Sequence, residues 1–230
     1  MGRNSYFPSG DASVTGGDGA FGSWTTVFTA PVALCGFYLS VAAGESGPYG
    51  IFNLFIGDGT PGTPDVEYGV FDGGFAGMVY FPLPVLPNTE IQVQTWNMNS
   101  STDAVTVYVI GVPSGVRESR SSCQVLGTST SSNLTSLATT PTSLGTSLAL
   151  PAKEVCIVGG NSSSDSFTGS LTLSIGSSGA TNLLENVGFG CAISDYISSA
   201  YSFPLFIPPS QDIWLTTSAT PARGTVYLFY

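Results

Sequence analysis

Hydrophobic and polar residues alternate along several short stretches of the chain, which is the pattern of half-buried β-strands. Residues 91 to 96 read Ile-Gln-Val-Gln-Thr-Trp, and residues 105 to 110 read Val-Thr-Val-Tyr-Val-Ile. Glycine and proline separate these stretches, as in the Gly57-Asp58-Gly59 turn signal. No eleven-residue window has the spacing of an amphipathic helix. We therefore predict an all-β protein of short antiparallel strands.

An internal repeat organises the chain. The Phe-Pro-Leu block at 81–83 recurs at 203–205, and Ile91 recurs as Ile213 at the same offset of 122 residues. The block at 52–57 matches the block at 171–176 at an offset of 119 residues. Such a repeat indicates duplication of one folding unit. We predict two tandem jelly-roll-like antiparallel β-sandwich domains, at 23–113 and at 149–230.

Two segments outside these sandwiches differ in composition. Residues 1–22 are rich in glycine, and we expect them to form an N-terminal arm. Residues 114–148 are predicted to be a Ser/Thr-rich linker, because from 121 to 147 serine or threonine stands at 15 of 27 positions without any charge. We expect that segment to be an extended connector that buries little.

Composition excludes several classes of function. The chain has 230 residues and no histidine, so a Ser-His-Asp triad and histidine-ligated zinc are impossible. Five Lys and Arg against 15 Asp and Glu give a net charge of −10, which is unsuited to nucleic acid. No apolar run reaches the 18 or so residues of a membrane-spanning helix. We therefore predict no enzymatic activity, no catalytic or metal-binding residues, no cofactor, and neither nucleic acid nor membrane as a partner.

Carboxylates are the remaining acid–base groups. They cluster between the turn at 57–59 and residue 72, at Asp58, Asp65, Glu67 and Asp72. We interpret the cluster as a solvated acidic loop. A calcium site and a pair of hydrolase carboxylates are the alternatives, because oxygen ligands suit Ca²⁺ and paired acids suit glycoside hydrolysis.

The four cysteines, Cys35, Cys123, Cys156 and Cys191, are too widely spaced for a metal or redox motif. We predict small buried residues with free thiols, and two disulfides are the alternative. Cys35 and Cys156 fall at similar places in the two copies of the repeat.

A few side chains are candidates for contact with a partner. Arg117 and Arg120 flank the predicted linker, are two of only five cations, and suit an acidic neighbouring subunit. Trp96 shares a strand face with two glutamines, which favours an exposed contact role. We take Arg3, Trp96, Arg117 and Arg120 as the candidate contact residues.

The residues from Tyr80 to Trp96 read Tyr-Phe-Pro-Leu-Pro-Val-Leu-Pro-Asn-Thr-Glu-Ile-Gln-Val-Gln-Thr-Trp. With a closing Val-Tyr-Val strand, this pattern resembles small tandem β-sandwich virion structural proteins of tailed bacteriophages, of the capsid decoration (cement) type. The resemblance implies a non-enzymatic protein that binds and stabilises the outer surface of a phage capsid. It also implies the major capsid protein as partner, a homo-oligomer, specifically a trimer, and a place on the capsid exterior after synthesis in the host cytoplasm.

Two other functions stay open. One is a tail or fibre module that recognises a host receptor or glycan. The other is a capsid protein built from two sandwiches.

Overall fold

The fold is described from a computed structural model. It describes residues 7–15, 17–18, 22–42, 50–57, 66–70, 78–97, 104–127, 135–161, 167–191, 198–220 and 222–230. Within these ranges the chain forms β-strands and one short 3₁₀ turn, Ser177–Gly179. The prediction of an all-β protein is confirmed.

The strands of the first half build two sheets. They are β1 (Ser9–Thr15), β2 (Gly17–Asp18), β3 (Thr25–Thr29), β4 (Leu34–Ala42), β5 (Gly50–Gly57), β6 (Val66–Val70), β7 (Val79–Phe81), β8 (Glu90–Asn97) and β9 (Ala104–Pro113). Sheet A has the order β1-β9-β4-β7. Sheet B has the order β2-β8-β5-β6, and β3 also pairs with β8.

The second half repeats this arrangement. Its strands are β10 (Cys123–Leu126), β11 (Thr135–Leu137), β12 (Thr142–Thr146), β13 (Glu154–Asn161), β14 (Phe167–Ile175), β15 (Thr181–Cys191), β16 (Ser198–Phe203), β17 (Asp212–Thr217) and β18 (Ala222–Phe229). Sheet C has the order β10-β18-β13-β16, with β11 also on β18, and sheet D has the order β12-β17-β14-β15. Sheet C therefore corresponds to sheet A, and sheet D to sheet B.

Strand register also repeats between the halves. Ile56 on β5 lies opposite Ile91 on β8, and Ile175 on β14 lies opposite Ile213 on β17. These are the residues that the offsets of 119 and 122 match in the sequence. Because a shift of one residue would turn every side chain to the other face, the shared register places equivalent residues in equivalent positions.

A turn with a left-handed residue recurs at the same place in both halves. The Asn88 N–H donates to the Ala30 carbonyl at 2.7 Å, and the Ser210 N–H donates to the Leu148 carbonyl at 2.8 Å. Asn88 has φ 64° and Ser210 has φ 56°. Asparagine tolerates this conformation better than serine does. The two halves thus share loop geometry as well as strands.

The expectation that Cys35 and Cys156 fall at similar places in the two copies of the repeat is wrong. The Phe-Pro-Leu blocks begin opposite Phe37 in β4 and Val155 in β13. The next residues along, Tyr38 and Cys156, are therefore equivalent, and Cys35 lies at a different level of the repeat. The two cysteines nevertheless share burial, since both lie in hydrophobic clusters.

The predicted linker is wrong for much of 114–148, because β10, β11 and β12 lie within it. Leu126 and Leu137 are buried in the core of the second half. The Gln124 side chain also donates from Nε2 to the Thr146 carbonyl at 3.0 Å. Serine and threonine therefore mark strands here, because an edge strand takes most of its stability from backbone pairing and a few apolar anchors.

The predicted N-terminal arm is also partly wrong. Residues 9–15 form β1, which pairs with β9 from Ser9 opposite Ile110 to Thr15 opposite Ala104. Val14 is fully buried, so this segment is an edge strand of sheet A with one apolar anchor.

The hydrophobic core joins the two halves. One cluster lies inside the second half, between sheets C and D. The other contains the interior of the first half together with Cys156, Val158, Tyr227 and Phe229 from the outer face of sheet C. We call this contact the seam. Sheet C is consequently buried on both faces.

Candidate partner surfaces

The seam closes an edge of the first sandwich. β7 and β6 are the last strands of sheets A and B, and β16 and β10 of sheet C lie beside them. Phe81 reaches across: its ring lies edge-on to Tyr227 at 5.9 Å and to Phe229 at 6.2 Å between centroids. Such edge-to-face pairs add stability beyond the area they bury. The two halves are thus packed together by aromatic side chains.

Arg120 lies at the seam. Its backbone N–H donates to the Pro82 carbonyl, and its Nε lies 3.7 Å from a carboxylate oxygen of Glu154. Its Nη1 also contacts exposed Glu118 at 3.3 Å. Burial raises the pKa of the Glu154 carboxyl, and the charge of Arg120 opposes that rise. The structure therefore gives Arg120 contacts within the chain, and contact with a partner stays a prediction.

Arg117 lies on the outer face of sheet A. Its Cζ lies 4.5 Å from the ring centroid of Tyr80, and its Nη1 donates to the Tyr38 hydroxyl at 3.2 Å. Tyr38 and Tyr80 pack against each other at 4.8 Å. A Cβ at Gly36 would collide with the Tyr80 hydroxyl and lie 2.6 Å from the Phe81 carbonyl, so glycine allows Tyr80 to lie against the sheet. Tyr80 is buried with Cys35 and Val112, whereas Arg117 is exposed, so the cluster is a cation–π arrangement that covers part of the outer face of sheet A.

The other two candidate residues lie at the limit of what the structure describes. Arg3 is outside the described residues. Trp96 belongs to β8, where its backbone lies opposite Ile51 and Gly17, but its side chain is outside the description. The acidic cluster 58–72 is outside it as well, apart from the backbone of Glu67 in β6.

Two buried thiols and one buried tyrosine hydroxyl have strongly raised pKa values. Cys123, Cys156 and Tyr227 lie together on the seam side of sheet C. Burial raises the pKa of Cys156 to about 12 and raises the pKa values of Cys123 and Tyr227 well above their usual ranges. Thiols that stay protonated are poor nucleophiles. Cys35, Cys123 and Cys156 are free thiols, as predicted for those three.

Other chemistry is equally sparse in the described ranges. They contain no group of three or more Cys, Asp or Glu residues placed to hold a metal ion. They also contain no helix long and apolar enough to cross a membrane.

A cleft opens on the second half between β15 and β16, the last strands of sheets D and C. It has a volume of about 490 Å³ and is lined mainly by apolar and aromatic residues, with one carboxylate and one amide: Leu184, Glu185, Asn186, Val187, Gly188, Phe189, Tyr201 and Phe203. Tyr201 is 42% exposed, whereas Val187 and Phe189 are buried at the base. The pattern of the sequence did not indicate this cleft, because β15 and β16 are consecutive strands that belong to different sheets, and local alternation does not show how two sheets diverge at an edge.

Exposed apolar residues recur at one end of each sandwich. In the first half, Val32 and Leu86 are 46% and 72% exposed, and the backbone bridge between Leu34 and Val85 holds their loops together. In the second half, Leu150 and Phe206 are 55% and 62% exposed, and the bridge between Ala152 and Ile207 holds the equivalent loops. We call these two sites the apolar tips.

Comparison with known proteins gives weak structural likenesses. No family model and no curated protein matches the chain. The PBSX exported protein XepA has 9% identity and a TM-score of 0.29, with 97% of this chain and 86% of that chain covered. A chain of the T13 particle of infectious bursal disease virus has 12% identity and a TM-score of 0.30, covering 98% and 69%. A chain of its T=1 particles has 13% identity and a TM-score of 0.29, covering 97% and 69%. TM-scores of this size carry no argument about function, which rests below on the sequence and the surfaces.

Proposed function

We propose that the protein is a non-enzymatic virion structural protein that decorates the outer surface of a phage capsid and stabilises it. In this proposal each half is a jelly-roll domain, and the major capsid protein is the partner. The observation that carries it is the recurrence of an apolar tip at equivalent loops of both sandwiches. Single exposed apolar residues are common on soluble proteins, but exposed apolar residues on the corresponding loops of two joined units suit attachment to a repeating surface. Val32 corresponds to Leu150 by position, whereas Leu86 and Phe206 lie on opposite sides of the bridged residues Val85 and Ile207.

Two tips on one rigid body give two-point attachment. The aromatic packing at the seam fixes the halves relative to each other, so binding of one tip holds the second close to its site. Two linked contacts can exceed the affinity of either one by about 10²- to 10⁴-fold without any new contact. A capsid lattice presents many identical subunits, and such linked attachment would brace neighbouring subunits against internal pressure.

The test is binding to purified capsid shells of the phage that encodes the protein. We expect co-sedimentation of the wild-type protein. We expect weaker binding to the shells for Leu86→Ser or Phe206→Ser alone. The variant that combines both substitutions should lose more binding affinity than either single variant. Val116→Ser serves as the control, because Val116 is 52% exposed and lies outside both tips. Leu183→Ser would not serve, because the Leu183 side chain packs against the core of the second half. Full binding by the double variant would refute the proposal.

A further inference from the structure

In the part of the chain that the structure describes, one edge of the second sandwich lacks the cover that its counterpart has. Phe81 and Phe203 begin the repeated Phe-Pro-Leu block and occupy the last strand of sheets A and C. Phe81 is fully buried at the seam, whereas Phe203 is only partly buried in the cleft beside exposed Tyr201. The first sandwich thus shows what an occupied edge looks like. Among the described residues, which leave out the connection 192–197 between β15 and β16, the cleft is the same edge without a cover.

The occupant of the first edge is the outer face of sheet C, and sheet A carries the equivalent face. The shared register places Tyr38 level with Cys156 and Ile110 level with Tyr227. Tyr108 follows on the same face and is 40% exposed. One end of this face is already covered, because Val112 is buried with Cys35 and Tyr80. Among the described residues, each side of the internal seam therefore has a counterpart that is at least partly uncovered: the face around Tyr108 and the cleft.

Charge fits the same pairing. Arg117 overhangs the outer face of sheet A, and Glu185 lines the cleft. The internal seam also holds an ion pair, at 3.7 Å, but with the charges exchanged: Glu154 belongs to the face of sheet C and Arg120 lies beside the edge strand β7. The outer face of sheet A also carries exposed Asp11, which lies opposite Tyr108 on the edge strand β1. Asp11 and Arg117 belong to different edges of the face. Arg117 is exposed while it keeps its contacts to Tyr38 and Tyr80, so it can also approach the carboxylate of a neighbouring copy.

We infer that the outer face of sheet A in one copy covers the cleft between β15 and β16 of a second copy, repeating the internal seam between molecules. The contact joins two different surfaces, so it is heterologous, and copies add head to tail until the arrangement closes into a ring or continues as a filament. A ring of three copies would be the trimer that the family resemblance implies. This contact involves neither apolar tip and is independent of the capsid.

Two blocking substitutions test the inference on the purified full-length protein without capsids. Tyr108→Glu places a charge on the face of sheet A, and Tyr201→Glu places one in the cleft. We expect the wild type to associate in sedimentation velocity and each variant alone to be monomeric. An equimolar mixture of the two variants retains one intact face and one intact cleft, so it should form a one-to-one dimer and nothing larger.

Controls separate this result from misfolding and from other contacts. Thr139→Glu introduces the same charge at an exposed residue between β11 and β12, outside both surfaces and both tips, and it should associate like the wild type. Arg117→Glu should weaken association, and adding Glu185→Arg in the same chain should restore it. A monomeric wild type, association of Tyr201→Glu alone, or a mixture that stays monomeric would each overturn the inference. Because capsid binding is measured separately on the tips, failure here leaves the proposed function to its own test.

Discussion

Truncating Phe81 to alanine tests whether the two sandwiches unfold as one body, because this ring belongs to the interior of the first and touches the second. Phe81 is fully buried, is stacked on Phe37 at 5.4 Å, and meets Tyr227 and Phe229 edge-on. Substitution of a buried phenylalanine by alanine costs about 3–5 kcal/mol, since the transfer energy and the contacts around the new cavity are both lost. Typical stabilities are roughly 5–15 kcal/mol, so the loss is large.

The assay is amide hydrogen exchange in β14, a strand of the second sandwich that belongs to sheet D and lies outside the seam. If the seam makes unfolding cooperative, protection in β14 falls with the global stability, by roughly 10²- to 10⁴-fold for 3–5 kcal/mol. The reciprocal variant Ile213→Ala, in the core of the second half, should lower protection in β4 in the same way. A Phe81→Ala protein that loses protection in β4 while β14 stays unchanged would refute the reasoning.

A double-mutant cycle isolates the seam itself. Phe81→Leu and Phe229→Leu keep much of the apolar volume and remove the edge-to-face geometry. We expect a coupling of about 0.5–1.5 kcal/mol between the two sites in urea unfolding, because the rings contact each other across the seam. Additive losses would show that the halves adjoin without energetic coupling.

The remaining predictions concern single groups. Ser210→Asn should stabilise the protein by about 0.5 kcal/mol, and Asn88→Ser should destabilise it by a similar amount. Both positions have the left-handed backbone conformation, which costs an ordinary residue about 1–2 kcal/mol. Thermal unfolding measures both changes, and midpoints equal to that of the wild type would contradict the reasoning. Cys156 should resist alkylation in the folded protein and react on denaturation, because burial raises its pKa to about 12; peptide mapping measures the two rates, and similar rates would be the contrary result. Burial raises the pKa of the Glu154 carboxyl, and the charge of Arg120 opposes that rise. The contribution of Glu154 to the free energy of unfolding is therefore fully present below its usual pKa of 4.5 and is lost as the pH rises through the pKa of the folded protein. Glu154→Gln should therefore gain in unfolding free energy relative to the wild type between about pH 4 and neutrality, and a difference independent of pH would contradict this.

The alternation of residues was a sound guide wherever one strand face is covered and the other is not. Ile91 and Val93 are buried as the pattern of residues 91–96 predicts. Gln92 is buried as well, and its Nε2 donates to Glu90 at 2.8 Å and to Thr26 at 3.1 Å. A polar residue on a strand therefore does not establish that its face meets water, because neighbouring side chains can accept hydrogen bonds from its amide N–H groups, even though the buried Oε1 of Gln92 has no partner among the described residues.

The strands of sheet C that form the seam carry continuous apolar runs, which a search for alternating residues does not detect. Residues 155–158 read Val-Cys-Ile-Val and residues 226–230 read Val-Tyr-Leu-Phe-Tyr, with no polar residue between the apolar ones. Continuous apolar runs of this length are typical of strands buried on both faces. The partner of the second face was beyond prediction, because it depends on how the two halves pack.

In the segment at 114–148, composition predicted too little structure. Its serine and threonine content predicted an extended connector, yet β10 and β11 pair with β18 and β12 pairs with β17. Composition measures how much surface a segment can bury, whereas an edge strand depends mainly on the neighbour to which it hydrogen-bonds. That neighbour lies about 70 to 100 residues later in the chain, outside the range of local patterns.

The position of β18 in the chain has a consequence for synthesis. Tyr227 and Phe229, which complete the interior of the first half, belong to residues 222–229. Domains generally fold from the N-terminus during translation, but here the earlier unit cannot finish its interior until residues 222–229 have left the ribosome. Nascent protein therefore carries an unsealed hydrophobic opening throughout the translation of the second repeat, and chaperones that bind exposed apolar surface have their longest opportunity during that interval.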